Sequence, residues 1–177
     1  MTFMTPSPWI VRFASLIDPQ GLVLDLACGT GRHGRLFLQR GHKVTFVDKN
    51  IDGLDDLQDV DHAHIVQMDL EDGKDWPFEK DHYDAVVVTN YLYRPHLKSL
   101  LGSIKEGGFL LYETFALGNE AFGRPSNPDF LFKQNELLHL VSDNFSVIAF
   151  EQGQDGNKVV QRICCVKGIG ARPYLLN

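Results

Sequence analysis

The sequence predicts an α/β protein of one domain, residues 1–177, with a doubly wound sheet of seven strands, five parallel and then a C-terminal antiparallel hairpin. Three observations support this fold. Short β-branched segments alternate with amphipathic helical segments over most of the chain. A glycine-rich loop follows the first apolar segment. The last two apolar segments are separated only by the turn-forming sequence GQDGN, so they run antiparallel to each other.

The order of the elements follows from the spacing of apolar residues and the positions of turn residues. An irregular segment, 116–130, is rich in Gly, Pro and Asn and too long for a routine connection. It is either a lid over the functional site or an ordered surface loop. We expect helices over residues 8–17, 31–40, 51–57, 95–105 and 133–141, and strands over residues 21–27, 43–48, 63–69, 83–90, 107–115, 145–152 and 158–167.

The composition argues against several classes of protein. Hydrophobic residues make up 44% of the chain, which is enough for a folded core. The net charge is −6 without a basic block, which disfavours unaided nucleic-acid binding because phosphate contacts supply most of that affinity. The cysteines, including the adjacent Cys164 and Cys165, favour reduced thiols over disulfides, and the N-terminal sequence resembles neither a signal peptide nor a membrane span. We expect a cytoplasmic monomer or homodimer without a membrane partner.

Glycines and polar side chains collect where the predicted parallel strands end. The sequence CGTGRHG, residues 28–34, follows the first strand and contains the G-x-G-x-x-G pattern, and Asp48 lies about twenty residues further on. Asp69 and Asn90 end the third and fourth strands. Ligands of doubly wound sheets bind outside the carboxyl ends of the strands, so we expect a nucleotide-type cofactor at this edge.

Asp25, in the first strand just before the glycines, discriminates between two cofactors. NAD would bring a doubly negative pyrophosphate to the loop, where a carboxylate about 4 Å away would cost about 4 kcal/mol at an effective dielectric of about 20. S-adenosylmethionine carries no phosphate, and its ammonium and sulfonium groups are cationic. Asp25 would attract it directly or through water, whereas Asp48 would hold the ribose hydroxyls of either cofactor. The sequence therefore favours S-adenosylmethionine.

Four segments carry a resemblance to a known family. VLDLACGTGRHG, VTFVDKN, IVQMDLED and YDAVVVTNYLY resemble the successive motifs of class I S-adenosylmethionine-dependent methyltransferases, over residues 21–166. The resemblance implies a Rossmann-like fold with the same seven-strand plan. CGTGRHG, VDKN and FKQNEL are also similar to the TehB-like, tellurite-resistance methyltransferases. Ala27 departs from the pattern, because many members of the family have glycine there.

The resemblance also implies roles for residues at the strand ends. Asp48 would hold the ribose, with Lys49 or Asn50 beside the adenine. Asp69 would accept a hydrogen bond from the adenine amine, and Met68 or Leu70 would pack against the ring. A turn-capping role for Asp69 and plain core packing for Met68 and Leu70 are the alternatives. The methionine and ribose would lie along the loop residues Ala27, Cys28, Gly29 and Gly31.

The candidates for contact with the acceptor are Asn90, Tyr91, Tyr93, Arg94, His96, Glu113 and Arg124. Asn90, which would also contact the cofactor, and Tyr91 would face the methyl group. Arg124 lies in the irregular segment, where a positive charge would suit an anionic or oxyanion acceptor; a solvated surface arginine is the alternative. Glu113, in the fifth strand, is more typical of an ion-paired strand end. The histidines form no metal-binding pattern, so no metal is predicted.

The predicted function is methyl transfer from S-adenosylmethionine to a small molecule. Two alternatives remain: an RNA or protein methyltransferase that works with a partner, and a non-catalytic module that binds S-adenosylmethionine. A basic groove beside Asn90 would favour the RNA or protein methyltransferase. A blocked cavity in front of Asn90 would favour the non-catalytic module. An NAD-dependent dehydrogenase is disfavoured because the sequence has no Tyr-x-x-x-Lys pair and no substrate domain.

Overall fold

The computed structural model describes residues 5–168, 170, 173 and 174, so the outermost residues of the predicted domain lie outside the described part. Seven strands form one sheet in the order β3-β2-β1-β4-β5-β7-β6. The strands are β1 (Leu22–Leu26), β2 (Lys43–Asp48), β3 (Ala63–Gln67), β4 (Tyr83–Thr89), β5 (Ile104–Phe115), β6 (Phe145–Asp155) and β7 (Lys158–Lys167).

The strand directions confirm the predicted fold class. Strands β1 to β5 pair in parallel, with β1 between β2 and β4. Strand β7 is antiparallel to both β5 and β6. The hairpin therefore enters the sheet with its second strand against β5, and β6 becomes the sheet edge. The order of the strands reverses at β1 and β4, which is the switch point where doubly wound sheets bind ligands.

Helices cover both faces of the sheet. On one face, α1 (Pro8–Phe13) and α2 (Arg32–Gln39) pack through Trp9, Phe13 and Phe37 onto β-strand side chains. On the other, α3 (Leu97–Gly102) and α4 (Glu136–Val141) complete a second core. The adjacent Cys164 and Cys165 belong to opposite cores, as expected for neighbours in a strand.

The helices are shorter than the sequence predicts. Helix α3 ends at Gly102 because Ile104 already pairs with β4 as the first residue of β5. Helix α4 begins at Glu136 because Asn135 has a φ of 60°, outside the helical region. No helix in the described part of the chain is long and apolar enough to cross a bilayer. Five segments of the described residues are 3-10 helices: Ala14–Leu16, Asp52–Leu57, Arg94–His96, Asn119–Ala121 and Pro128–Phe130.

Close packing of α2 against β2 explains two glycines of the CGTGRHG sequence. A Cβ atom on Gly34 would overlap the Phe46 ring, and one on Gly31 would lie 2.9 Å from Phe46 Cε1. Gly31 also has a φ of 72°, a conformation that favours glycine. These glycines let the start of α2 lie directly on the sheet, which sets the position of the loop before it.

Candidate functional site

A cavity of about 260 Å³ opens at the carboxyl edge of the sheet, beside the loop that joins β1 to α2. This volume is close to the lower end of small-molecule sites, about 300–1,000 Å³. Eight of the residues predicted for the site line it, and Glu71, which the sequence analysis missed, is the ninth. The eight predicted residues are Ala27, Asp48, Lys49, Met68, Asp69, Leu70, Asn90 and Tyr91.

The loop after β1 is a tight turn of left-handed residues. Ala27 and Gly29 have φ values of 52° and 55°, so Ala27 adopts a conformation that normally favours glycine. The Cys28 N–H donates to the Val47 carbonyl at 3.0 Å, which ties the turn to β2. Burial raises the pKa of the Cys28 thiol well above its usual value, so the thiol stays protonated. Cys28, Gly29 and Gly31 shape the turn without lining the cavity.

Asp48, the last residue of β2, joins the loop to the cavity. Its Oδ2 accepts a hydrogen bond from the Gly29 N–H at 2.7 Å, and its Oδ1 accepts one from the Asn50 N–H at 3.0 Å. Two oxygens of an ionised carboxyl group offer about four acceptor positions. Each Asp48 oxygen therefore keeps acceptor capacity for a ligand while its direction is held by the backbone.

Asp25 lies outside the cavity lining, at the first turn of α2. Its side chain is 1% exposed, and its Oδ2 accepts a hydrogen bond from the Gly34 N–H at 2.7 Å. The N-cap residue Gly31 has no side chain, so Asp25 satisfies a helix N–H from the neighbouring strand. Burial raises the pKa of Asp25 to about 7, against the lowering effects of this hydrogen bond and of Arg32.

The negative charge of the cavity lining comes from residues other than Asp25, which the sequence favoured as its source. Near neutral pH the Asp25 carboxyl is only partly ionised. The lining itself holds three carboxylates, Asp48, Asp69 and Glu71, against the single ammonium group of Lys49. The sign that favours a cationic cofactor over a diphosphate is thus present, but it originates at the ends of β2 and β3.

The segment after β3 forms one wall of the cavity. Leu70 is buried, and Met68 is half-buried against the same core as Tyr91. The Asp69 Oδ1 accepts a hydrogen bond from the Glu71 N–H at 2.9 Å, so the predicted turn-capping role is present. The same carboxylate lines the cavity, so capping and ligand contact are compatible here.

The opposite wall begins where β4 ends. Asn90 has a φ of 55°, and its N–H donates to the Glu113 carbonyl at 2.9 Å. The Tyr91 carbonyl accepts from the Tyr112 hydroxyl at 2.8 Å, which fixes the backbone after the turn. Burial, and then the nearby Glu71, raise the pKa of Tyr91 well above its usual value, so its hydroxyl stays protonated.

Arg124 lies outside the cavity lining, on the exposed part of segment 116–130. The exposed rings of Phe122 and Phe130 belong to the same segment. Glu113 is the ion-paired strand residue that the sequence favoured, with Lys158 Nζ at 3.4 Å and Arg162 Nη1 at 3.7 Å from its oxygens. The Glu113 side chain is buried and does not line the cavity.

His33 fastens the segment before α1 to this edge of the sheet. The Ser7 N–H donates to His33 Nε2 at 3.1 Å, and the Ser7 hydroxyl donates to Glu113 at 3.0 Å. Because Nε2 accepts, the proton of the neutral ring lies on Nδ1, 3.2 Å from the Thr89 hydroxyl. Burial, and then Arg32, lower the pKa of His33 to about 4. No motif of the sequence predicts this contact.

The arrangement defines a class of protein. A sheet of this order, with a glycine turn after β1 and carboxylates at the ends of β2 and β3 around one cavity, is that of S-adenosylmethionine-dependent methyltransferases. Residues 23–108 match the family model described as a methyltransferase domain. This match covers just under half of the chain, from β1 to the first residues of β5, and identifies that part as an S-adenosylmethionine-dependent methyltransferase domain. No curated protein matches its sequence significantly.

Solved structures share the fold at low sequence identity. The 1,6-didemethyltoxoflavin-N1-methyltransferase of Burkholderia thailandensis is 16% identical with a TM-score of 0.68, over 90% of this chain and 76% of that one. TehB of Haemophilus influenzae is 21% identical with a TM-score of 0.72, over 92% and 62%. The N-methyltransferase NodS of Bradyrhizobium japonicum is 11% identical with a TM-score of 0.66, over 90% and 92%. TehB is thus one of many distant neighbours, and the closer TehB likeness is not confirmed.

Replacing Asp25 by Asn tests whether its charge or its hydrogen bond matters. The Asn amide oxygen can still accept from the Gly34 N–H, so S-adenosylhomocysteine should bind Asp25→Asn within about threefold of wild type, about 0.6 kcal/mol. Asp25→Leu leaves that buried N–H unsatisfied and should lower the free energy of unfolding by about 1–3 kcal/mol. Calorimetric titration and urea denaturation measure the two effects. If Asp25→Asn keeps its stability but no longer binds S-adenosylhomocysteine, the charge of Asp25 itself contributes to cofactor binding.

His33 should make stability depend on pH. Folding lowers its pKa from 6.5 to about 4, so the unfolded chain binds the extra proton between these values and stability rises with pH there. The stability advantage of wild type over His33→Asn should grow by about 1.4 kcal/mol per pH unit across this window and level off above it. Urea denaturation between pH 4 and 8 measures this, with the exposed His64→Asn as control. Parallel curves for wild type and His33→Asn would contradict it.

Proposed function

We propose that the chain transfers a methyl group from S-adenosylmethionine to a small molecule, with an anionic or oxyanion acceptor as the preferred class. The observation that carries the proposal is the cavity itself, where the ends of β2, β3 and β4 meet beside the glycine turn. The solved neighbours include an N1-methyltransferase of 1,6-didemethyltoxoflavin, which is a small molecule. That likeness concerns the fold, and we extend it to the acceptor class of this chain.

Asp48 suits a ribose with two neighbouring hydroxyl groups. Both of its oxygens are already directed by backbone N–H groups, and each keeps acceptor capacity for one hydroxyl. S-adenosylmethionine, when bound, supplies an electrophilic methyl group on its sulfonium. The carboxylates of the lining attract the positive charge of this cofactor, whereas they repel the diphosphate of NAD.

The remaining cofactor contacts follow the walls of the cavity. Asp69 would accept from the adenine amine, with Met68 and Leu70 against the ring and Lys49 beside it. The turn would hold the methionine and ribose through its backbone, because a Cβ position on Gly29 has no atom within 4 Å and the absence of that Cβ permits close approach. In this proposal the turn residues are Ala27, Cys28, Gly29 and Gly31, and Asp25 contributes by holding the start of α2.

Asn90 and Tyr91 would orient the reacting groups at the end of β4. Methyl transfer is a displacement that gains most from orientation and exclusion of water. The left-handed backbone of Asn90 is fixed by its hydrogen bond to Glu113, so its side chain projects from a defined turn. The protonated Tyr91 hydroxyl can donate a hydrogen bond but is unsuited to act as a base near neutral pH.

The acceptor class rests on Arg124 and the rings near it in sequence. The chain has a net charge of −6 and an acidic cavity, so an anion approaching this edge needs a local positive charge. Arg124 offers one, and the exposed rings of Phe122 and Phe130 offer apolar cover. Tellurite and selenite are among the oxyanions that the proposal includes.

S-adenosylhomocysteine should raise the melting temperature of the protein, whereas NAD and NADP should not. Asp48→Ala should weaken its binding at least about tenfold, about 1.4 kcal/mol, because the ribose loses its acceptor. Thermal-shift and calorimetric titrations measure this, and Asp61→Ala, an exposed carboxylate outside the cavity, is the matched control. Stabilisation by NAD, or full binding by Asp48→Ala, would refute the proposed cofactor site.

Methyl transfer should be detected with small anionic acceptors and should depend on Arg124. We expect Arg124→Ala to raise KM for an anionic acceptor about tenfold, with Arg124→Lys retaining most of the affinity. Isotope transfer from methyl-labelled cofactor to tellurite, selenite and a panel of small carboxylates measures this, with neutral analogues as controls. Preferential labelling of RNA or protein would contradict the small-molecule proposal.

A further inference from the structure

The segment between β5 and α4, residues 117–131 (the β5–α4 loop), is closed at its base by backbone pairing. The Leu117 N–H donates to the Phe132 carbonyl at 2.9 Å, and the Phe132 N–H donates to the Phe115 carbonyl at 3.0 Å. Phe132 is fully buried against Tyr112, with ring centroids 5.4 Å apart. Both ends of the loop therefore leave the sheet from one anchored position.

Asn119 holds the first half of the loop from inside. Its side chain is 2% exposed. Its amide nitrogen donates to the Pro125 carbonyl at 3.0 Å, and its amide oxygen accepts from the Val159 N–H at 3.1 Å. One side chain thus joins the loop both to itself and to β7, the strand beside β5.

Arg94 holds the second half from outside. Its Nη1 donates to the Asp129 carbonyl at 2.6 Å, and one Nη2 hydrogen bond reaches the Leu131 carbonyl at 2.8 Å. The guanidinium also forms a two-point pair with Glu136 of α4, at 2.7 and 2.9 Å. The Glu136 Oε2 accepts in addition from the Lys133 N–H at 2.7 Å. These contacts use the planar donor fork of arginine, which lysine cannot reproduce.

The same arginine belongs to the segment that leaves the end of β4 after Asn90 and Tyr91. The backbone of Tyr91 is fixed by the Tyr112 hydroxyl, and Tyr112 packs against Phe132 at the base of the loop. Burial raises the pKa of Glu136, but the hydrogen bonds from Arg94 and from the Lys133 N–H lower it below its ordinary value. The Arg94–Glu136 pair therefore remains charged at neutral pH.

We propose that Arg94 is a positioning residue for the acceptor side of the site, which braces the β5–α4 loop against the Asn90–Tyr91 turn. The loop is then a fixed wall rather than a lid that closes on the substrate. Phe122, Arg124 and Phe130 belong to this fixed loop. Arg94 therefore determines where these side chains lie relative to the Asn90–Tyr91 turn. This inference rests on the proposed function, because it assigns these three side chains to the acceptor.

Hydrogen exchange tests the brace without knowledge of the acceptor. Arg94→Lys keeps the charge but loses the fork, so amides of residues 117–131 should exchange at least about tenfold faster, while residues 21–90 keep their protection. Glu136→Gln, which can retain the Lys133 contact, should give a smaller effect in the same segment. Lys105→Ala is the matched control, because Lys105 pairs with Asp84 at the opposite end of β4, at 3.0 Å. Unchanged exchange of the loop in Arg94→Lys would overturn the proposal.

Binding and kinetics separate a positioning role from a general loss of structure. Arg94→Lys should bind S-adenosylhomocysteine as wild type does. With tellurite, selenite or whichever carboxylate of the panel is methylated, its KM should rise about tenfold while kcat changes less than about threefold. An equal loss of cofactor binding, or a fall in kcat at unchanged KM, would overturn the proposal. If nothing in the panel is methylated, the proposed function fails, and the exchange measurement still decides the bracing role.

Discussion

The hydrogen bond from the Gly34 N–H to the Asp25 carboxyl joins the end of β1 to the first turn of α2, and the position of the loop beside the cavity depends on it. Leaving a buried N–H without an acceptor costs about 1–3 kcal/mol, so the loop between the two elements is held against the sheet. Within that loop, the Gly29 N–H directs Asp48 at the end of the neighbouring strand. A buried contact behind the cavity thus orients a side chain that lines it.

The sequence predicts the sheet and its polar edge well because both depend on local patterns. Strand periodicity and turn residues place Asp48, Asp69 and Asn90 at strand ends, and parallel neighbours bring strand ends together. The role of Asp25 depends on side-chain direction, which a motif does not contain. Asp25 alternates with Leu24 and Leu26 and lies on the α2 side of the sheet with Val23, so its partner is the helix.

Long-range contacts account for what the sequence does not predict. Turn chemistry predicts that β6 and β7 form a hairpin, but not that β7 enters between β5 and β6. Glu71 lies in the IVQMDLED segment but beyond the end of its strand, and it reaches the cavity only because the chain turns after Asp69. Arg94 contacts residues 35 to 42 positions away, and each contact requires the folded β5–α4 loop. No periodic pattern in the sequence indicates such long-range contacts.

The two sides of the site are built from separate sets of contacts. In the proposed site, the cofactor lies against the turn after β1 and the ends of β2 and β3, whereas the β5–α4 loop is held by Arg94 and Asn119, neither of which lines the cavity. Changes in the loop can therefore alter the acceptor surface while the hydrogen bonds that direct Asp48 remain. Under the proposed function, the acceptor specificity of this chain therefore depends on the β5–α4 loop rather than on the cavity.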